Sequence, residues 1–181
     1  MELIPTPIAG AFVLQSRAFR DQRGAYTRLF CQQDFIAAGL HGDFPQSNLL
    51  QNPQRGTLRG LHRQRDPHGE VKVVRALHGQ VFDVAVDMRP DSPSYLQWHG
   101  VTLCSEQQNA FYIPAGCLHG LITLTDNATL FYQVSQGYAP QSEECYAWND
   151  PAFGIEWPIA PTVISEKDQS QPFLAQREAQ P

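Results

Sequence analysis

Basic runs are missing from this chain, and with them the usual means of tracking a nucleic-acid backbone. Thirteen lysines and arginines are scattered among 18 acidic residues, for a net charge of -5 and a pI near 5.6. An anionic ligand must be held by a few placed cations instead of an overall field, so nucleic acid is not an expected partner. No segment is apolar for the roughly 20 residues that a membrane helix needs. Residues 1–10 also lack the basic start and apolar stretch of a signal peptide. These absences imply a cytoplasmic protein without a membrane partner. Cys31, Cys104, Cys117 and Cys145 include no CxxC pair, which argues against a zinc site or disulfide framework and for reduced structural thiols. Repeats, low-complexity tracts and linkers are absent too, so residues 1–181 read as one domain with room for a core.

What the chain does contain is a series of short apolar runs separated by turn residues. Ala11–Leu14 and Ala25–Phe30 predict an N-terminal hairpin around the Asp21-Gln22-Arg23-Gly24 turn, and Gln32–Leu40 predicts a short helix stopped by Gly39. Further strands are expected at 44–50, 57–64, 70–77, 80–88, 96–103, 110–113, 118–124 and 128–135. Many short strands with little helix predict an all-β antiparallel barrel or double-sheet jelly roll. Its core spans about residues 44–136, and the segment 137–181 packs over it.

Alternation along these strands assigns faces to polar residues. Gln46 and Asn48 leave on one side of their strand. Lys72 shares a face with Val74 and Ala76, where it either points into the barrel mouth or snorkels to water from the strand end. Tyr132 shares a face with Leu130 and Val134, a pattern that suits a core aromatic as well as a proton donor. His62 lies on the face of Leu58, Gly60 and Gln64, and Arg59 on the opposite one. Both can serve one site only if Gly60 marks a bulge or Arg59 curls around an edge.

The Pro114-x-Gly116-x-x-His119 turn resembles the second motif of the cupin double-stranded β-helix, in which the histidine faces the barrel interior. Metal-binding cupins pair it with His-x-His and a glutamate. This chain has His62-Arg63-Gln64 instead, and the pocket is expected to be metal-free and to need no cofactor.

Taken in order, the motifs resemble those of the dTDP-4-dehydrorhamnose 3,5-epimerase family. They are Gln46-x-Asn48, Gly56-Thr57-Leu58-Arg59-Gly60-Leu61-His62, Lys72-Val73-Val74-Arg75, residues 79–87, Ile113-Pro114-x-Gly116-x-x-His119-Gly120 and Phe131-Tyr132. Tyr138-Ala139-Pro140, Trp148-Asn149-Asp150-Pro151, Gly154-Ile155-x-Trp157-Pro158 and Ser165-Glu166-Lys167-Asp168 complete the series. The resemblance implies a homodimer whose N-terminal strands reach across to the partner, acting on a nucleotide-linked 4-keto-6-deoxy sugar. It implies His62 as the base, Asp168 as the carboxylate that orients it, Tyr132 as the opposing acid and Lys72 as the enolate partner. Arg23 and Arg59 would hold the diphosphate, and Gln46, Asn48, His119, Tyr138, Glu143 and Lys167 would complete the binding site.

Two positions depart from the family pattern, both at the nucleotide end. Arg28 stands where an acidic residue is usual, and Gly137 stands where a second tyrosine precedes Tyr138. CDP- or GDP-linked sugars therefore stay open beside dTDP. An enzyme acting at one carbon, or a 3,4-ketoisomerase, would use the same proton-transfer groups.

Overall fold

Strands dominate because apolar side chains recur at every second position between turns, as in Ala128–Val134. The computed structural model describes residues 1–178. Among them the chain forms β1 (Glu2–Pro5), β2 (Phe12–Gln15), β3 (Ala18–Asp21), β4 (Gly24–Thr27), helix α1 (Gln32–Ala37), β5 (Gln46–Asn52), β6 (Thr57–Gln64) and β7 (Lys72–His78). It continues with β8 (Gln80–Asp87), β9 (Trp98–Cys104), β10 (Asn109–Ile113), β11 (Cys117–Thr123), β12 (Ala128–Val134), β13 (Glu143–Cys145), β14 (Val163–Ile164), α2 (Glu166–Gln169) and α3 (Leu174–Glu178). No helix is long and apolar enough to cross a membrane among the described residues.

Two sheets make the body of the molecule. One has the order β1-β2-β10-β7-β12-β5, and the other runs β13-β6-β11-β8-β9 with β14 added parallel to β6. Their inner faces meet in a core that includes Val74, Ala76 and Leu130 from the first sheet and Val81, Ala85, Val101 and Leu121 from the second. This is the expected jelly roll, in which each inward side chain is followed by an outward one.

The outer faces are covered as well. Phe35 of α1, with Phe30 and Phe44, packs edge-to-face over Leu14, Val73 and Tyr112 of the first sheet. Tyr146, Phe153, Trp157 and Leu174 from the C-terminal segment cover Leu61, Val84 and Val86 of the second. The tail is thereby bound to the sheet that carries β6, and it returns α2 to the side of that strand.

The N-terminus differs from expectation. The hairpin is β3 with β4, closed by the Arg23 amide donating to Asp21 Oδ1, whereas β2 pairs with β1 on one edge and β10 on the other. Leu14 explains the difference, because pairing with β10 buries it fully against Phe35. The helix ends at Ala37, earlier than Leu40, and Gly39 follows with φ +75°.

One constraint shapes the second sheet. In β6, His62 is opposite His119 and Arg59 is opposite Leu121, so three steps on β6 match two on β11. The extra residue is a bulge at Gly60, which has φ +109°. A Cβ there would stand 2.7 Å from the His119 carbonyl oxygen and 2.6 Å from Gly120 Cα. Gly60→Ala is therefore expected to lower unfolding free energy by about 1–3 kcal/mol, because the clash is with backbone that cannot rotate away. Urea denaturation checks this, and an unchanged midpoint would contradict it.

Candidate active site

The bulge restores to one face what strict alternation would separate. Arg59 and His62 both line an inner cavity of about 210 Å3, with His119 and Leu121 of the neighbouring β11. Lys72 of β7 and Tyr132 of β12 line the same cavity from the other sheet. The base candidate and the phenol therefore stand on opposite walls, and Lys72 resolves its two readings by facing inward.

His62 is oriented from behind. Its Nε2 lies 2.6 Å from Asp168 Oδ1, and the other carboxylate oxygen accepts from the Gly60 amide at 3.3 Å. Asp168 is held by its own helix, since its amide donates to Ser165 Oγ at the α2 N-cap. Burial pushes the Asp168 carboxyl up, but the hydrogen bond and charge of His62 outweigh it with help from Gly60 and Ser165. The result lies below the ordinary carboxylate value. A charged Asp168 accepts Nε2–H and leaves Nδ1 as the nitrogen free to take a proton.

The opposing wall carries a second set of polar groups. Burial, and then the negative charge of Glu70, push the Tyr132 phenol above its ordinary value, with Arg59 pulling partly back. Lys72 Nζ lies 2.9 Å from Glu70 Oε1, and both side chains are largely buried. His119 is also backed by a carboxylate, with Nε2 2.8 Å from Asp83 Oδ1. Arg59 Nε donates to Asn52 Oδ1 at 2.8 Å, so the guanidinium is fixed from one edge and keeps its terminal nitrogens for a ligand.

An outer chamber of about 340 Å3 continues the cleft and shares His62, Lys72 and Tyr132 with the inner one. Gln46, Asn48, Tyr138 and Glu143 line it. Lys167 stands behind this wall, with Nζ 2.7 Å from Glu143 Oε2, and Tyr138 donates to the same oxygen at 3.3 Å. Burial raises the Glu143 carboxyl, but Lys167, His62 and Tyr138 outweigh it and leave it below its usual range. Arg23 is not brought to the cleft within one chain. It sits at the exposed hairpin tip and forks Asp21, with Nη2 2.6 Å from Oδ2.

Glu70, Asn52, Asp83 and Ser165 were not among the residues expected at the site. Glu70 had a usable signal, because alternation along the expected strand 70–77 puts it on the face of Lys72, although the observed strand begins only at Lys72. Asp83 and Asn52 act through long-range partners and had none.

A histidine backed by a carboxylate, a phenol across the cavity and cations beside both make an arrangement chemically suited to proton transfer, set in a jelly roll. The family model described as dTDP-4-dehydrorhamnose 3,5-epimerase matches residues 5–176. A dTDP-4-dehydrorhamnose 3,5-epimerase of Salmonella typhimurium is 40% identical over 178 residues, covering 97% of each chain. The dTDP-6-deoxy-D-glucose-3,5-epimerase of Legionella pneumophila, solved with dTDP-4-keto-L-rhamnose, matches with TM-score 0.91 and 35% identity over 96% of this chain and 93% of that one. A 3'-monoepimerase of Streptomyces bikiniensis, solved with dTDP-quinovose, matches with TM-score 0.89 and 36% identity over 96% of this chain and 88% of that one. This chain belongs to the dTDP-4-dehydrorhamnose 3,5-epimerase family.

The Asp168 environment makes a pH prediction. Its folded pKa is below the unfolded value near 3.8, so its contribution to stability is complete above that value and is lost as pH falls through the lower folded one. Urea midpoints measured downward from about pH 5 should fall more steeply for the parent than for Asp168→Asn. Parallel curves would contradict the assignment.

Proposed function

We propose that this chain catalyses 3,5-epimerisation of a dTDP-linked 4-keto-6-deoxy sugar by proton abstraction and reprotonation. The observation that carries this reading is the placement of the His62–Asp168 pair and Tyr132 on opposite walls of one cavity. A ketone at C4 acidifies the hydrogens at C3 and C5. Inversion then needs a base on one face of the ring, an acid on the other and a positive group at the oxygen where charge develops.

In this mechanism His62 Nδ1 removes the proton while Asp168 fixes the tautomer and balances the imidazolium that forms. Lys72 donates to the enolate oxygen, and His119 is a further polar group in the pocket. Tyr132 returns a proton from the opposite face, and its raised pKa keeps it protonated until then. Arg59 takes the diphosphate, with Gln46, Asn48, Tyr138, Glu143 and Lys167 at the nucleotide end. The whole chain acts as one unit, because its last segment supplies Glu143, Lys167 and Asp168. We place it in the cytoplasm, where nucleotide sugars are made.

A homodimer accounts for Arg23. The hairpin exposes Phe19 and Tyr26 and the N-terminal β1 exposes Ile4, apolar side chains suited to a second copy. Arg23 would then reach the partner's diphosphate. Mixing the inactive variants Arg23→Ala and His62→Ala should restore activity, because each hybrid dimer contains one intact site. Absence of complementation would contradict crossed sites.

Exchange in heavy water tests the reaction itself. Incubation with dTDP-4-dehydro-6-deoxyglucose should place deuterium at both C3 and C5. Exchange at C3 alone would favour the second reading, a one-carbon epimerase, which the likeness to the Streptomyces bikiniensis monoepimerase supports. Exchange at neither carbon would overturn the proposal. Competition among dTDP, CDP, GDP and UDP should favour dTDP despite Arg28 and Gly137, and equal binding would contradict the thymidine assignment.

A further inference from the structure

Among the described residues Glu70 is the carboxylate that meets Lys72, and nothing in the proton-transfer scheme has used it. Its side chain is 11% exposed and that of Lys72 is 12% exposed. A buried ammonium without an anion costs several kcal/mol, and Lys72 opens its strand, where a flexible stem can swing toward water. The 2.9 Å contact to Glu70 removes that escape. The backbone between the two residues is fixed, because the Val71 amide donates to Ser135 Oγ and the Ser135 amide donates to the Val71 carbonyl. An ammonium carries three N–H donors, so the Glu70 bond leaves two for a ligand in the cavity.

Glu70 also lines the outer chamber beside Tyr132. Besides Glu70, the charged and titratable groups that line the two chambers with that phenol are Arg59, His62 and Arg63 from β6, Lys72 from β7, His119 from β11, Asp168 from α2, and Tyr138 and Glu143 from the C-terminal segment. The adjoining β5 contributes only the neutral Gln46 and Asn48. Of the carboxylates in this set, Asp168 is tied to His62 and Glu143 to Lys167, and Glu70 is the one whose charge raises the phenol.

We propose that Glu70 is a positioning residue for the epimerisation: it anchors the Lys72 ammonium at the edge of the inner cavity and lays a negative charge beside the Tyr132 phenol. This rests on the reading of the site given above. The two tasks separate in two variants. Glu70→Ala removes both the anchor and the charge, whereas Glu70→Gln keeps the shape and an acceptor oxygen for Lys72 and removes the charge alone.

Glu70→Ala should lower kcat about tenfold while KM stays within about twofold, the pattern of an interaction made in the transition state. Glu70→Gln should recover kcat to within about threefold of the parent but move the basic limb of kcat/KM to lower pH, since loss of a nearby negative charge eases phenol ionisation. An ultraviolet titration of phenolate, with Tyr132→Phe subtracted, should show the same downward move without any substrate. Parent kcat and an unmoved Tyr132 titration in both variants would overturn the proposal. It would also fall if activity dropped only in proportion to folded protein while the Tyr132 titration stayed in place. A parent protein that exchanges no protons with the keto sugar would instead overturn the epimerase reading, which the titration does not depend on.

Discussion

The bulge at Gly60 is the constraint on which the rest of the site depends. A flat β6 would send Arg59 and His62 to opposite faces, one into the barrel and one under the C-terminal segment. The extra residue brings both inward, and its own amide is turned to the Asp168 carboxylate. Gly60 and Gly120 lie back to back on adjacent strands, and a side chain on Gly60 would collide with backbone. The same two strands therefore set where His62 stands, where the Arg59 guanidinium stands and how closely His119 approaches them.

Charge inside the cleft is arranged in pairs. Asp168 backs His62, Asp83 backs His119, Glu70 holds Lys72 and Glu143 holds Lys167. The first three pairs are largely buried, and in each the partner lowers the burial penalty and fixes a side chain against motion, so the groups need little reorganisation when charge develops on a ligand. Tyr132 stands outside these pairs, and burial and Glu70 keep its proton in place. The arrangement suits a reaction that moves protons across a ring without leaving net charge behind.

Much of this was legible in the sequence, for identifiable reasons. Thr57–Gln64 was bounded correctly because a turn precedes it, and the parity of Arg59 and His62 left a bulge at Gly60 or an edge position for Arg59, between which the register decides for the bulge. Lys72 was placed on the right face by alternation alone. The hairpin was mis-set because β3 and β4 are short and mostly exposed, so no alternation marks them. Asp168 was named only through the family resemblance, because its burial depends on the tail packing over β6 and on a contact 106 residues away. Asp83 and His119 meet only because β8 and β11 are neighbours, a pairing that no local pattern encodes.

The central claim is that His62 and Tyr132 act on opposite faces of one ring. Stereochemically resolved exchange of the 4-keto sugar in heavy water by Tyr132→Phe tests it most directly. The account predicts that this variant still incorporates deuterium through His62 but with retention, so that inverted product nearly disappears, and that His62→Ala incorporates none. Inverted product formed at the parent rate by Tyr132→Phe, or undiminished exchange by His62→Ala, would contradict it.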